Sequence, residues 1–179
     1  MSVIACRVSF DNISFAADSQ ITCRSSKDNK LEYEKIQTID NVTMGAAGWL
    51  DECILIGDYI RRHDFPNNSS DILLYMLEFY KYRDSLSETF KPQCDDEERS
   101  ASSMVMMVAV DGKVFLVDNR TVLRVKSYHA IGSGDVYAQA IMAYGGDVDS
   151  AVRIACQIDL NCAEPIQHVD VPIKWSVPC

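Results

Sequence analysis

The chain opens on two β-rich runs, residues 3–10 and 13–18, that flank the turn pair Asp11-Asn12 and predict a hairpin. A polar stretch over 24–30 reads as a loop, since few of its side chains suit burial. A second hairpin is predicted over 35–39 and 42–47 around Asp40-Asn41, with Gly45 and Gly48 allowing close backbone approach at its end. The period then becomes helical: Leu50, Cys53, Ile54, Gly57 and Ile60 share a face, and Pro66 lies beyond the stop. Ser70-Asp71 predicts the cap of a second helix with Ile72, Tyr75, Met76, Phe79 and Tyr80 turned inward. Residues 85–101, which include Asp95, Asp96, Glu97 and Glu98, read as an exposed loop with a solvated acidic surface.

Strands return at 104–110 and 114–117 around Asp111-Gly112, followed by extended pieces at 122–125 and 128–131. Gly132-Ser133-Gly134 leads into a small-residue helix, 136–144, which Gly145-Gly146 breaks. A fourth helix carries Ala151, Ile154, Ala155, Ile158 and Cys162 on one face. The tail, 166–173, predicts a last strand, and Pro172 marks it as an edge. The order is strands, two helices, strands, two helices, one strand. Segregated runs of this kind argue against a doubly wound parallel sheet. They predict an α+β fold, a four-layer αββα sandwich of two antiparallel sheets flanked by helix pairs. A chain of 179 residues without repeat or linker is expected to form a single domain over 1–179.

Composition narrows the function classes. Hydrophobic residues make up 47% and charged residues 24%, the balance of a folded soluble protein, and no apolar run approaches membrane-spanning length. The first ten residues carry neither a basic cluster nor a long apolar core, so no secretory signal is expected and a cytoplasmic location is. With 26 acidic against 17 basic residues, the net charge of −9 disfavours a general grip on nucleic acid. Seven cysteines without a CxxC pair argue against a disulfide framework or structural zinc. They read as small apolar residues, and Cys162 as core rather than nucleophile. Met104, Met106 and Met107 read as strand packing. Three scattered histidines, His63, His129 and His168, leave little for a histidine triad. Gly132-Ser133-Gly134 lacks the remaining elements of a dinucleotide or P-loop motif, so no cofactor is expected.

Ser2 becomes the first residue if Met1 is removed, which a small second residue permits. Ser2 would then start the first strand, Asp18 end the second, Lys35 begin the third and Gly48 close the fourth. In these residues, and in the blocks SVIACRVSFDNISFAADSQ, EKIQTIDNVTMGAAG, AIGSGDVYAQAIMAYGG and SAVRIACQIDLNCAEPI, the chain resembles the proteasome β-subunit and HslV peptidase family of N-terminal nucleophile hydrolases. The likeness covers nearly the full chain. The intervals from Ser2 to Asp18 and Gly48 agree with the family, and the lysine lies slightly further along.

The resemblance implies a catalytic set of Ser2, Asp18, Lys35, Gly48, Ser133 and Asp159. A free α-amine, of pKa about 7.7–8.0, would accept the proton of its own hydroxyl. Lys35, held by Asp18, would favour the ionised hydroxyl, and the Gly48 N–H would bind the oxyanion. Ser133 would orient the α-amine. Asp159, four residues after Ala155 and three before Cys162, is expected on the apolar face of its helix, where a carboxylate needs a partner. The implied function is a peptidase subunit acting on polypeptides, in a homo-oligomeric ring and often fed by an ATP-dependent unfoldase. The start just before the first strand implies the β or HslV type and leaves no room for a propeptide.

Four positions depart from the family pattern. Serine stands where threonine is usual, Asp135 adds negative charge near the site, and Cys162-Ala163 replace serine or a small residue followed by glycine. These departures motivate two alternatives, an inactive ring subunit and a small-amide hydrolase of the wider superfamily. The resemblance also implies that main-chain carbonyls near the end of the last helix can hold a cation, with Asp159, Cys162 and Pro165 as its neighbours here.

Overall fold

The computed structural model describes residues 2–23, 26–28, 33–86 and 104–173. Among these, eleven strands and four helices follow the order foreseen, with β1 (Val3–Val8) and β2 (Asn12–Asp18) first. After β3 (Ile21–Cys23) and β4 (Ser26–Asp28) come β5 (Ile36–Ile39) and β6 (Val42–Ala47), then α1 (Leu50–Arg62) and α2 (Ser69–Ser85). The second half holds β7 (Val105–Val110), β8 (Lys113–Asp118), β9 (Thr121–Val125) and β10 (Tyr128–Gly132). It closes with α3 (Asp135–Ala143), α4 (Val148–Ile158) and β11 (Ile166–Pro172). One sheet runs β10-β1-β2-β11 and the other β5-β6-β7-β8-β9, with every pairing antiparallel.

Three apolar clusters fill the three spaces of a four-layer αββα sandwich. Between α1–α2 and the five-stranded sheet lie Ile56, Met76, Phe79, Met44, Met106 and Val108. Between the sheets, Ile4, Cys6 and Phe15 meet Ala47, Met107 and Ala109. Beneath α3–α4, Val3, Ala5, Ala16 and Ala130 meet Ala138, Met142, Val152 and Ala155. Alternate residues of β1 and β7 thus enter different clusters. Both faces are buried, which is why these strands read as continuous apolar runs. Fully burying one side chain such as Phe15 contributes about 1.5–3 kcal/mol. Met106 and Met107 pack in β7 as expected, while Met104 lies just ahead of that strand and is buried in the cluster beneath α1–α2.

Several boundaries differ from the sequence reading. The β1–β2 turn is Phe10-Asp11 rather than Asp11-Asn12, because Val8 pairs with Ile13 and the Ser9 N–H donates to the Asn12 carbonyl. Phe10 is left 81% exposed. The polar stretch at 24–30 is not all loop: β3 and β4 pair across it. Asn68, not Ser70-Asp71, caps α2, its side chain accepting from the Asp71 N–H. Ile54, expected on the inner face of α1, is half exposed. The short strands β9 and β10 part company, β9 joining β8 and β10 joining β1 in the other sheet. From residue 87 on, the predicted acidic loop lies outside the described residues. Among the described residues, no helix is long and apolar enough to cross a membrane.

Strand β11 is the edge that Pro172 foretold, and His168 ties it to α4. Its Nδ1 lies 2.8 Å from Asp149 Oδ1 and its Nε2 lies 3.1 Å from Asp170 Oδ1. The Asp149 bond raises the His168 pKa, burial opposes it, and Asp170 adds to the rise. A raised folded pKa means stability that is full below the unfolded value of about 6.5 and lost as pH rises through the folded one. Melting curves of His168→Gln against the native chain are therefore expected to differ most below about pH 6.5 and to converge as pH rises through the raised folded value. A pH-independent difference would refute the ion pair.

Candidate active site

The site lies at one end of the sandwich, where β1 starts, β2 and β10 end, β5 starts and β6 ends. Antiparallel pairing brings these ends together: Ile4 opposes Ala17, Val3 opposes Gly132, and Ile36 opposes Gly45. The sheets touch here, since a Cβ at Gly45 would lie 2.8 Å from Ile4 Cγ2.

Asp18 is the hub. Its carboxylate is fully buried, and its Oδ1 accepts from Lys35 Nζ at 2.7 Å and from the Val3 N–H at 2.9 Å. Its Oδ2 accepts from the Gln20 N–H at 3.0 Å and the Ala163 N–H at 3.3 Å. Lys35 is 5% exposed, so the pair is sealed from solvent. A buried carboxylate is tolerable only with such partners. Ser2, 7% exposed, directly precedes the Val3 amide that Asp18 holds.

The other wall is the turn between β10 and α3. The Gly134 N–H donates to the Ser2 carbonyl at 3.3 Å, and the Ser133 hydroxyl lies 3.4 Å from the same oxygen. Ser133, expected to orient the α-amine once Met1 is removed, here meets this carbonyl and bonds Asp159. A hydroxyl has one proton, and the carboxylate is the stronger acceptor. Gly132 has φ 97°, and a Cβ there would sit 2.2 Å from the Ser2 carbonyl oxygen, so only glycine admits this approach.

Asp159 corrects the helical reading. The helix ends at Ile158, and Asp159 is its C-cap with extended backbone rather than a member of the apolar face. Its Oδ1 accepts from the Asn161 N–H at 2.9 Å and Asn161 Nδ2 at 3.0 Å, and these local bonds compete with a further helical turn. The Cys162 thiol donates to Oδ2 at 3.4 Å. Burial pushes the Asp159 pKa up, but bonds from Ser133, Asn161 and Cys162 outweigh it and hold the carboxyl below its usual range. Cys162 is itself buried, and loss of solvent raises its pKa, which suits core packing and not nucleophilic attack. Gly48, with φ 140°, follows the last pair of the β6–β7 ladder, Ala47 with Val105, so its N–H lies beyond that ladder. Among the described residues, no group of three or more His, Cys, Asp or Glu side chains is arranged to hold a metal ion.

No family model matches the sequence, and no curated protein matches it either. Solved structures do match. The BPH protein of Thiobacillus denitrificans, also solved in complex with Epoxomicin, superposes with a TM-score of 0.77 at 21% identity, over 96% of this chain and 98% of that one. HslV from Trypanosoma brucei gives 0.69 at 21% identity over 95% and 99%. Anbu from Yersinia bercovieri gives 0.66 at 14% identity over 96% and 81%. The chain has the proteasome-type N-terminal nucleophile hydrolase fold.

Within that fold, the structure gathers Ser2, Asp18, Lys35, Ser133 and, through Ser133, Asp159 into one bonded network. Gly48 enters by its place at the end of β6. Sequence reasoning missed Gly132 and the main-chain donors of Gln20 and Ala163. Gly132 had a signal, a glycine at a strand end beside Ser133. The backbone donors had none, because any non-proline residue offers an N–H.

Proposed function

We propose that the chain is a proteasome-like, HslV-type peptidase subunit that cleaves peptide bonds of unfolded polypeptides with Ser2, once Met1 has been removed. The observation that carries this reading is the buried Lys35–Asp18 pair, whose carboxylate also holds the amide next to Ser2. Ser2 Oγ attacks the scissile carbonyl carbon while the free α-amine, of pKa about 7.7–8.0, takes its proton. Lys35 favours the ionised hydroxyl. The Gly48 N–H donates to the developing oxyanion, a role whose loss typically costs about 3–4 kcal/mol. Collapse breaks the C–N bond, the amine departs with the proton held by the α-amine, and an ester remains on Ser2. Water attacks the ester, the α-amine again accepts a proton, and the acid and free hydroxyl result. Ser133 and Asp159 hold the turn that carries the Ser2 carbonyl. A homo-oligomeric ring with inward-facing sites, fed by an ATP-dependent unfoldase, belongs to the same proposal. Its support is the shared fold.

Serine at position 2 favours a second reading, a ring subunit of this fold without activity. It lacks the methyl group that restricts χ1 in threonine, so its hydroxyl is less preorganised. Intact mass and labelling with a boronate or β-lactone probe separate the two. The peptidase reading expects a chain lighter by its methionine, an adduct at Ser2 and hydrolysis of unfolded protein. Ser2→Ala should keep the native assembly state and lose both adduct and hydrolysis. A retained Met1 with no adduct would leave only the inactive subunit.

A further inference from the structure

Lys35 stands just ahead of β5, in the sheet opposite the one that holds Ser2 and Asp18, so something must fix its backbone across the sandwich. The side chain of Gln167 does so. Gln167 sits on β11 opposite Ala17, one register step from the Ile166–Asp18 pair. Its Oε1 accepts from the Lys35 N–H at 2.8 Å and from the Ile36 N–H at 3.3 Å, and its Nε2 donates to the Tyr33 carbonyl at 3.2 Å. Two donors and one acceptor, all main chain, converge on one amide. That set dictates the orientation of the amide, because only its oxygen receives N–H groups and only its nitrogen gives one.

We infer that Gln167 is a positioning residue for the nucleophile: it clamps the Tyr33–Ile36 segment to β11 and thereby sets where the Lys35 ammonium meets Asp18. The inference rests on the peptidase reading for its catalytic consequence, although the clamp can be tested without it. No other side chain of similar size matches the site. Glutamate accepts both N–H groups but sets a carboxylate against the Tyr33 carbonyl. Asparagine is one methylene shorter. Alanine leaves two amides and one carbonyl without this partner.

The experiment uses the full chain and its Gln167→Ala, Gln167→Glu, Gln167→Asn and His168→Gln variants. Amide hydrogen exchange at Lys35 and Ile36 is expected to quicken about tenfold or more in Gln167→Ala. On the same variant, kcat, or the rate of Ser2 labelling by a β-lactone probe, should fall by about 10²-fold with KM little changed, as expected when a reacting group is misplaced by about 1 Å. Gln167→Glu should recover part of the loss and Gln167→Asn little. His168→Gln loosens the same strand without touching Lys35 and should leave labelling unchanged, so a loss there would assign the effect to β11 as a whole and overturn the inference. Unaltered exchange in Gln167→Ala, or unaltered kcat, would overturn it too. A native chain inert to the probe would instead overturn the peptidase reading, while the exchange data would still decide whether the clamp exists.

Discussion

Lys35→Met is expected to abolish Ser2 reactivity and to lower stability by about 3 kcal/mol, a fall of roughly 6–12 °C in Tm for a chain of this size. Both effects come from the same geometry. Asp18 is fully buried and its carboxylate is neutralised by one ammonium at 2.7 Å. Removing that ammonium strands a charge in the core, and breaking buried pairs typically costs about 3–5 kcal/mol. The lower figure applies because the Val3, Gln20 and Ala163 N–H groups still solvate the carboxylate. Reactivity falls for a separate reason: no positive charge remains to favour the ionised hydroxyl, a loss of at least about 10²-fold. The double variant Lys35→Met, Asp18→Asn separates the two effects. It carries no buried charge, so it should regain part of the stability and none of the reactivity. Denaturant melts and probe-labelling rates measure both. A Lys35→Met chain that labels at the native rate would remove Lys35 from the mechanism.

Gly132→Ala is expected to cost about 2–4 kcal/mol and to silence Ser2 as well. At φ 97° an L side chain is strained, and here the added methyl would also lie 2.2 Å from the Ser2 carbonyl oxygen and 2.8 Å from its carbon. Backbone cannot yield as a flexible side chain does, so β10 or Ser2 must move. Either shift disturbs the nucleophile. Gly145→Ala is the matched control, with φ 92° and nothing within 4 Å of the added atom. It should show the conformational cost, about 1 kcal/mol, and keep native labelling. Equal behaviour of the two variants would mean that backbone conformation, not the approach to Ser2, accounts for Gly132.

The hairpins were legible where turn chemistry is strict. Asp111 and Gly112 both take positive φ in the two-residue turn that an Asp-Gly pair predicts. At Phe10-Asp11 the same reasoning slipped by one residue, because two polar residues followed a bulky one and only the β1–β2 register decides between the pairs. Asp159 was misplaced for a related reason. Apolar spacing continues through Cys162, but the chain leaves the helix at a residue whose side chain bonds the backbone ahead of it. The parting of β9 and β10 was not readable either, since both are short strands and neither sequence states its neighbour. Gln167 left no trace in a strand where charged and apolar residues surround it.

The sequence by itself determined the periods, the turn pairs, the segregation of strands from helices, and the placing of Ser2, Asp18, Lys35 and Gly48 at strand ends. These follow from local rules, in which burial of one face and the backbone demands of a turn are written in neighbouring residues. Tertiary structure alone decided that β10 lies beside β1, that each Asp18 oxygen takes two donors, that Ser133 reaches Asp159, and that Gln167 holds Lys35. Hydrogen bonds are directional and short, and their partners here are separated by up to 145 residues. No periodic pattern records such a meeting, because it exists only once the layers have closed around it.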